Sequence, residues 1–306
     1  MKKKVLVTGA YGFIGRYVAR EYHKNGYYVI GMGHGTWNLV DTNIWGIDEF
    51  YSCDITIESL AKYAIDIDVI VHCAGSGSVG FSVENPLQDF ERTVQTTYFV
   101  LEFIRKYSYN TKLIYPSSAA VYGFSNNLPL KEYSDLNPIS PYGYHKKIVE
   151  ELCRMYVEQY AVKVVVLRLF SVYGKELKKQ LLWDACKKIV RKDNFFYGTG
   201  EETRDWMHVV DVAKYFFEAT KYVSEKLEIY NIIASGRSIT VQDILELLYS
   251  VYGANEKPVF NGRVNFGNPV HYFADVNRIQ NWNVKNKIDL NQGIIEYVRW
   301  FKNEEY

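Results

Sequence analysis

Six short apolar runs, at residues 4–8, 28–32, 50–53, 69–73, 112–116 and 163–169, alternate with longer amphipathic stretches at 12–25, 57–63, 85–107 and 141–160. Short apolar runs of this length read as strands. Strand alternating with helix predicts the α/β class, with a parallel, doubly wound sheet closed by right-handed crossovers. Beyond Val172 the pattern loosens into helical stretches at 177–191, 209–222, 241–251 and 290–303, separated by Gly- and Asn-rich loops. We expect a sheet domain over 1–172, joined by returning segments near 207–235. A smaller C-terminal lobe is expected over 173–206 and 236–306. A cleft between the two is the natural ligand site.

Composition excludes several alternatives. Lys and Arg number 36 against 35 Asp and Glu, a net charge of +1, so no global field recruits nucleic acid or an anionic membrane. No apolar window approaches the ~18 residues of a membrane helix, and the stretch after the N-terminal lysines is interrupted by Thr8 and Gly9, unlike a signal peptide. Cys53, Cys73, Cys153 and Cys186 form no C-x-x-C pair and read as reduced thiols of a cytoplasmic protein. No His/Cys cluster has ligand spacing, so no metal is expected.

Gly9, Gly12 and Gly15 follow the first strand and open the first helix, with Tyr11, Phe13 and Ile14 between them. Small residues in this strand–turn–helix context let backbone N–H groups approach a dinucleotide pyrophosphate at a helix N-terminus. The acid that usually ends the second strand and holds the adenosine ribose is absent; Gly33 stands there, followed by His34. Loss of that carboxylate removes repulsion against a 2′-phosphate. It predicts NAD or NADP binding with a mild lean to NADP, and a Gly33→Asp exchange that restores NAD preference. His34 and Arg16 are the candidate phosphate donors.

Tyr142 and Lys146 are four residues apart at the start of a predicted helix, so they share one face. A neighbouring ammonium favours a phenolate, which makes the pair a candidate proton-transfer device. Ser118 ends the fifth strand, at the carboxyl edge where doubly wound sheets bind ligands, and can hydrogen-bond a reacting oxygen.

The ordered motifs T-G-A-Y-G-F-I-G (8–15), C-D-I (53–55), H-C-A-G (72–75), S-S-A-A-V-Y-G (117–123), S-P-Y-G-Y-H-K (140–146), L-R-L-F-S-V-Y-G (167–174) and G-T-G-E-E-T-R-D-W-M-H-V-V-D (198–211) span nearly the whole chain. Together they resemble the extended short-chain dehydrogenase/reductases, the Rossmann-type group containing UDP-galactose 4-epimerase and many nucleotide-sugar reductases and dehydratases. The resemblance implies that Ser118, Tyr142 and Lys146 are catalytic. It implies that Asp54 and Ile55 contact the adenine, and that Cys73, Ala74 and Gly75 flank the cofactor near its ribose. Arg204 resembles the cation that holds a sugar-nucleotide diphosphate. Ser117, Ser171, Phe195, Tyr197 and Arg263 are the further substrate candidates. The resemblance also implies a homodimer built on 85–107 and 141–160, and a role in cell-surface polysaccharide biosynthesis.

The departures narrow the chemistry. Gln95 and Ser171 stand where Asn is common, Ser76 and Gly77 where a Lys often follows the A-G motif, and the segment 265–269 lacks a phosphate-binding Arg. Dehydratases of this group carry Asp-Glu after the catalytic hydroxyl, and double epimerase-reductases carry a Cys two residues on. Ala119 and Ala120 stand here and can do neither job. What remains is hydride transfer at one carbon, most often C4 of a nucleotide-activated sugar, as a 4-epimerase or a 4-ketoreductase. A non-catalytic NAD(P)-binding regulator is the alternative from another class; the intact Ser/Tyr/Lys set argues against it. A Rossmann-type RNA binder lacks a basic stripe.

Overall fold

The computed structural model describes residues 2–125, 127–234, 238–263, 270–285 and 287–304. The divergent segment at 265–269 lies outside them. The central sheet is built from β1 (Lys4–Thr8), β2 (Tyr28–Gly33), β3 (Glu49–Ser52), β4 (Val69–His72), β5 (Lys112–Ser118), β6 (Lys163–Leu169) and β7 (Glu228–Ile232). Its order is β7-β6-β5-β4-β1-β2-β3, and every neighbouring pair is parallel. This is the doubly wound, Rossmann-type α/β architecture.

Burial in β1 shows why the apolar runs are continuous. Val5, Leu6 and Val7 are all inaccessible to solvent. Val5 and Val7 pack into the cluster on one face, with helices Phe13–Lys24 and Val209–Ala219; Leu6 packs into the opposite cluster, with helices Thr96–Tyr107 and Pro141–Tyr160. Successive strand side chains alternate between faces, so a sheet covered on both sides needs every residue apolar.

Two elements depart from the periodicity reading. Patterning places no strand at 228–232, yet β7 pairs with β6 there; its Glu228 and Asn231 mask the apolar run. The stretch 85–107 is not one helix. It breaks into helix Pro86–Phe90, a π-turn at Glu91–Gln95 and helix Thr96–Tyr107. The wide turn brings Thr93 against the end of β4, where its Oγ1 accepts the Ser76 N–H at 3.3 Å. Insertions of this kind recur where a helix borders a functional site.

A third apolar cluster, apart from the two that flank the sheet, is formed by helices Gln180–Val190, Val241–Tyr252 and Leu290–Asn303. Short strands tie it together: Phe195–Phe196 pairs with Val259–Phe260, and Thr203–Arg204 lies between Ile239–Thr240 and His271–Tyr272. No described helix is long and apolar enough to cross a membrane.

Candidate active site

The sheet order reverses beside β1, which pairs with both β2 and β4. Doubly wound sheets open a crevice at the carboxyl ends of the strands at such a point. A cavity of about 470 Å³ lies there, walled by the glycine loop, the ends of β4 and β5, and the lobe residues around Arg204.

At the glycine loop, a Cβ on Gly15 would stand 2.2 Å from the Gly9 carbonyl, so only glycine lets helix Phe13–Lys24 start this close to the strand. No side chain caps this helix, and no acid lies in its first turn. Its first N–H groups face the cavity unopposed by negative charge, which suits a pyrophosphate.

A second close approach assembles the Ser/Tyr/Lys set. Ser140 caps helix Pro141–Tyr160 by accepting the Gly143 N–H at 3.2 Å, with Pro141 at the first helical position. A Cβ on Gly143 would meet the Ala120 carbonyl at 2.5 Å. The helix start therefore rests directly on the turn that follows β5 and Ser118. Ser118, Tyr142 and Lys146 all line the cavity. Ser118 hydrogen-bonds Tyr142 and accepts the Ala120 N–H at 3.2 Å.

The electrostatics differ from the simple lysine-lowers-tyrosine expectation. Burial pushes the Tyr142 phenol up to about 12, and the Ser118 hydrogen bond opposes that rise. Burial also holds the Lys146 ammonium down to about 8. Lys146 Nζ lies 5.8 Å from the Tyr142 ring centre and donates instead to the Tyr115 hydroxyl (3.0 Å) and the Pro116 carbonyl (2.8 Å). Desolvation dominates because both groups sit in low dielectric without a counter-charge in contact.

Of the other expected cofactor contacts, Gly9, Gly12, Phe13, Ile14, Gly15, Cys73 and Gly75 line the cavity. Tyr11, Gly33, His34, Asp54, Ile55 and Ala74 lie outside its walls. Gly33 has φ +137°, and a Cβ there would stand 3.3 Å from Gly9 N. A Gly33→Asp exchange would strain the loop it is meant to serve, which rules it out as a clean cofactor switch. Register brings a carboxylate to the same place from the neighbouring strand. Gly33 pairs with Ser52, and just beyond them His34 Nε2 lies 2.9 Å from Asp54 Oδ1, both side chains open to solvent. Arg16 is not free for a phosphate: it pairs with Glu176 at 2.5 Å, donates to the Tyr11 carbonyl and lies over the Trp37 and Trp45 rings.

The substrate candidates divide. Ser171 and Arg204 line the cavity. Arg204 is held by the carbonyls of Thr203 and Val270 and lies over the Tyr272 ring. Ser117 reaches the wall, but its hydroxyl is turned away and donates to Glu150 at 2.5 Å. Phe195, Tyr197 and Arg263 are exposed and outside the walls. In the strand Phe195–Phe196 it is Phe196 that is buried, so alternation turns Phe195 outward. Sequence reasoning missed Lys179, Trp206 and Tyr272 on the cavity wall. Trp206 stands inside the 198–211 motif, two residues after Arg204, which could have marked it; no motif marks Lys179 or Tyr272, and the three arrive from segments far apart in the chain. Among the described residues lining the cavity there is no carboxylate; Lys146, Lys179 and Arg204 are its charged side chains.

A crevice at the switch point of a doubly wound sheet, with a glycine loop, a hydroxyl, a phenol and an ammonium on its wall, defines an α/β enzyme of the NAD-dependent epimerase/dehydratase type. The model of the NAD dependent epimerase/dehydratase family matches residues 5–232, and the chain belongs to that family. A putative UDP-glucose 4-epimerase of Methanocaldococcus jannaschii is 31% identical, covering 98% of this chain and 98% of that one. Among solved structures, the chain resembles the UDP-N-acetylglucosamine 4-epimerase of Methanobrevibacter ruminantium in complex with UDP-N-acetylmuramic acid. That match has 25% identity, TM-score 0.86 and 99% coverage of both chains. It also resembles the UDP-glucuronic acid 4-epimerase of Bacillus cereus in complex with UDP-glucuronic acid and NAD, with 25% identity, TM-score 0.87, and 98% and 99% coverage.

Proposed function

We propose that this chain is an NAD-dependent 4-epimerase of a UDP-activated sugar. The observation that carries the reading is the cavity wall itself. It offers the Ser118–Tyr142–Lys146 set, two further cations in Lys179 and Arg204, and no described carboxylate. Cations without a competing acid suit a diphosphate, with Arg204 as its guanidinium donor. The lack of an acid beside Ser118, where Ala119 and Ala120 stand, removes the group that would protonate a leaving hydroxyl. That leaves oxidation and reduction at one carbon. The kinship with three 4-epimerases supports C4 and supports epimerisation over one-way keto reduction.

In this reading Tyr142 takes the proton of the C4 hydroxyl as the alcohol is oxidised and returns it when the ketone is reduced. Ser118 hydrogen-bonds the same oxygen. The Lys146 ammonium favours the phenolate through the field it adds. NAD, when bound, supplies the hydride acceptor and then donor. The glycine loop fits its pyrophosphate, with Gly75 on the adjoining wall. The test is incubation with UDP-glucose, UDP-N-acetylglucosamine and UDP-glucuronic acid in the presence of NAD, read by proton NMR. Appearance of the C4 epimer of one of them is expected. Net consumption of a 4-keto sugar with NADPH, and no epimer from any of the three, would replace the reading with a reductase.

Asp54 supports NAD over NADP, reversing the lean drawn from Gly33. Its carboxylate stands beside His34 at the end of β2 and β3, where it would repel a 2′-phosphate. Calorimetry should find NAD⁺ bound at least several-fold more tightly than NADP⁺, with the gap narrowed in Asp54→Asn. Equal discrimination in the variant would mean that another group reads the ribose.

The helices at 86–107 and Pro141–Tyr160 support a homodimer. Leu87, Tyr98, Tyr144 and Ile148 are large apolar residues left exposed on them. An isologous contact would bury these side chains on both copies. Light scattering at micromolar concentration should give about twice the 35.6 kDa chain mass; a species of chain mass alone would reject the dimer. The four free thiols support a reducing, cytoplasmic location.

A further inference from the structure

The turn at 174–179 joins strand Ser171–Tyr173 to helix Gln180–Val190. Glu176, Leu177 and Lys178 all face partners. Glu176 pairs with Arg16 at 2.5 Å, Leu177 is buried and its carbonyl accepts the Tyr297 hydroxyl at 2.9 Å, and Lys178 pairs with Glu304. Glu176 and Gln180 take φ of +73° and +69°, left-handed values that persist in non-glycine residues where the surroundings fix them. Lys179 stands between these anchored points. It stays exposed, lines the cavity, and has no ion pair or hydrogen bond among the described residues.

The Lys179 side chain crosses the crevice. A Cβ on Gly77 would stand 3.6 Å from its Nζ. Gly77 lies past the end of β4, directly before Ser78, which caps helix Val79–Glu84. One turn along that helix, Ser82 Oγ accepts the Tyr142 N–H at 3.0 Å. The ammonium therefore lies over the segment that braces the reacting phenol.

The other cations of the wall have donors committed to the protein. Lys146 donates to the Tyr115 hydroxyl and the Pro116 carbonyl, and Arg204 to the carbonyls of Thr203 and Val270. Lys179 keeps its N–H donors for a ligand. Desolvation draws its ammonium below the ordinary lysine value, and an anion in contact would oppose that loss. The wall has no described carboxylate to serve, so the anion comes with the ligand. In the reading above, the glycine loop meets the diphosphate of the cofactor and Arg204 that of the nucleotide sugar. A hexose has no ionised group of its own unless a carbon is oxidised to a carboxylate. C6 is the carbon where this leaves the ring intact, and it is two bonds from the reacting C4.

We propose that Lys179 is a specificity-determining residue whose ammonium pairs with a carboxylate on the sugar, so that the substrate class is a UDP-hexuronic acid. This rests on the reading of the site as a UDP-sugar 4-epimerase. Ser118 and Tyr142 act at C4, and Lys179 selects sugars that are negatively charged beside it.

The test is calorimetry with UDP, UDP-glucose and UDP-glucuronic acid, with NAD present, in Tyr142→Phe protein so that no ligand turns over. UDP-glucuronic acid should bind at least about tenfold more tightly than UDP-glucose, as one charge-assisted contact allows. Adding Lys179→Met keeps the apolar stem and removes the ammonium. It should weaken UDP-glucuronic acid by about tenfold and leave UDP and UDP-glucose within about threefold. Lys179→Arg retains the charge and should retain the preference for the acid. Melting temperature should hold in both variants, because Lys179 has no described partner to lose. Equal affinity for UDP-glucose and UDP-glucuronic acid before Lys179 is changed would overturn the proposal. An equal loss with all three ligands in Lys179→Met would also overturn it, by placing the ammonium on the diphosphate. A loss of NAD affinity alone would place it on the cofactor, and a lowered melting temperature with every affinity lost would make Lys179 a packing residue; either result rejects the proposal. Acid preference that depends on Lys179, in a wild-type protein that forms no C4 epimer, would defeat the 4-epimerase reading and leave this inference standing. Epimerisation of UDP-glucose with no acid preference would do the reverse.

Discussion

Tyr142→Phe is expected to lower turnover by about a thousandfold or more, within the range that a positioned proton-transfer group contributes. The exchange deletes one oxygen. The ring keeps its place in the cavity wall, and the first turn keeps its backbone bond to Ser82 and its Ser140 cap. Melting temperature and cofactor affinity should therefore change little, which separates a chemical loss from a structural one. Ser118 loses a partner, but its hydroxyl still accepts the Ala120 N–H. Lys146→Met should behave differently. It leaves the Tyr115 hydroxyl and Pro116 carbonyl short of a buried donor, so stability and cofactor affinity should fall along with turnover. Single-turnover kinetics on both variants is the measurement. If Tyr142→Phe kept a tenth of wild-type activity, worth only ~1.4 kcal/mol of barrier, Tyr142 would not be the acid and base.

The largest stability effect should come from a pair that carries no chemistry. Arg168 is 2% exposed and Glu150 1%. Two parallel bonds join them, Nε to Oε1 at 3.0 Å and Nη2 to Oε2 at 2.6 Å. Arg168 Nη1 also donates to the Tyr122 hydroxyl and the Glu132 carbonyl, and Tyr122 in turn donates to Asn231 on β7. Arg168→Met strands a buried carboxylate and should cost about 3–5 kcal/mol. Adding Glu150→Leu should recover much of that loss, because the desolvated charge goes with it. Urea unfolding of both variants measures the difference. The same network holds Ser117 beside Ser118, so turnover in Arg168→Met should fall with stability. A single variant within 1 kcal/mol of wild type, an error-sized change for such unfolding curves, would mean that water enters and solvates Glu150.

The class of fold was legible because it depends on local periodicity. Buried strands such as β1 carry a continuous apolar stretch, here Val5–Val7, and amphipathic stretches separate them. Glycine positions and the i, i+4 spacing of Tyr142 and Lys146 are also local, so the glycine loop and the Tyr142/Lys146 pair that line the cavity could be singled out from the sequence. β7 was hidden because pairing with β6 across a long intervening stretch, not periodicity, makes it a strand. The cofactor reading at Gly33 rested on one strand alone. Counting along one strand finds no acid, whereas parallel register brings Asp54 beside His34 from the next. The sequence by itself determined the chemistry within reach: a glycine loop, a Ser/Tyr/Lys set, and alanines where other reactions need an acid or thiol. Only the tertiary structure decided the charge environment of that chemistry. It brought Lys179 and Arg204 to a wall without a described acid and turned Ser117 toward Glu150. These are through-space effects between residues tens of positions apart, and burial magnifies them by lowering the dielectric in which they act.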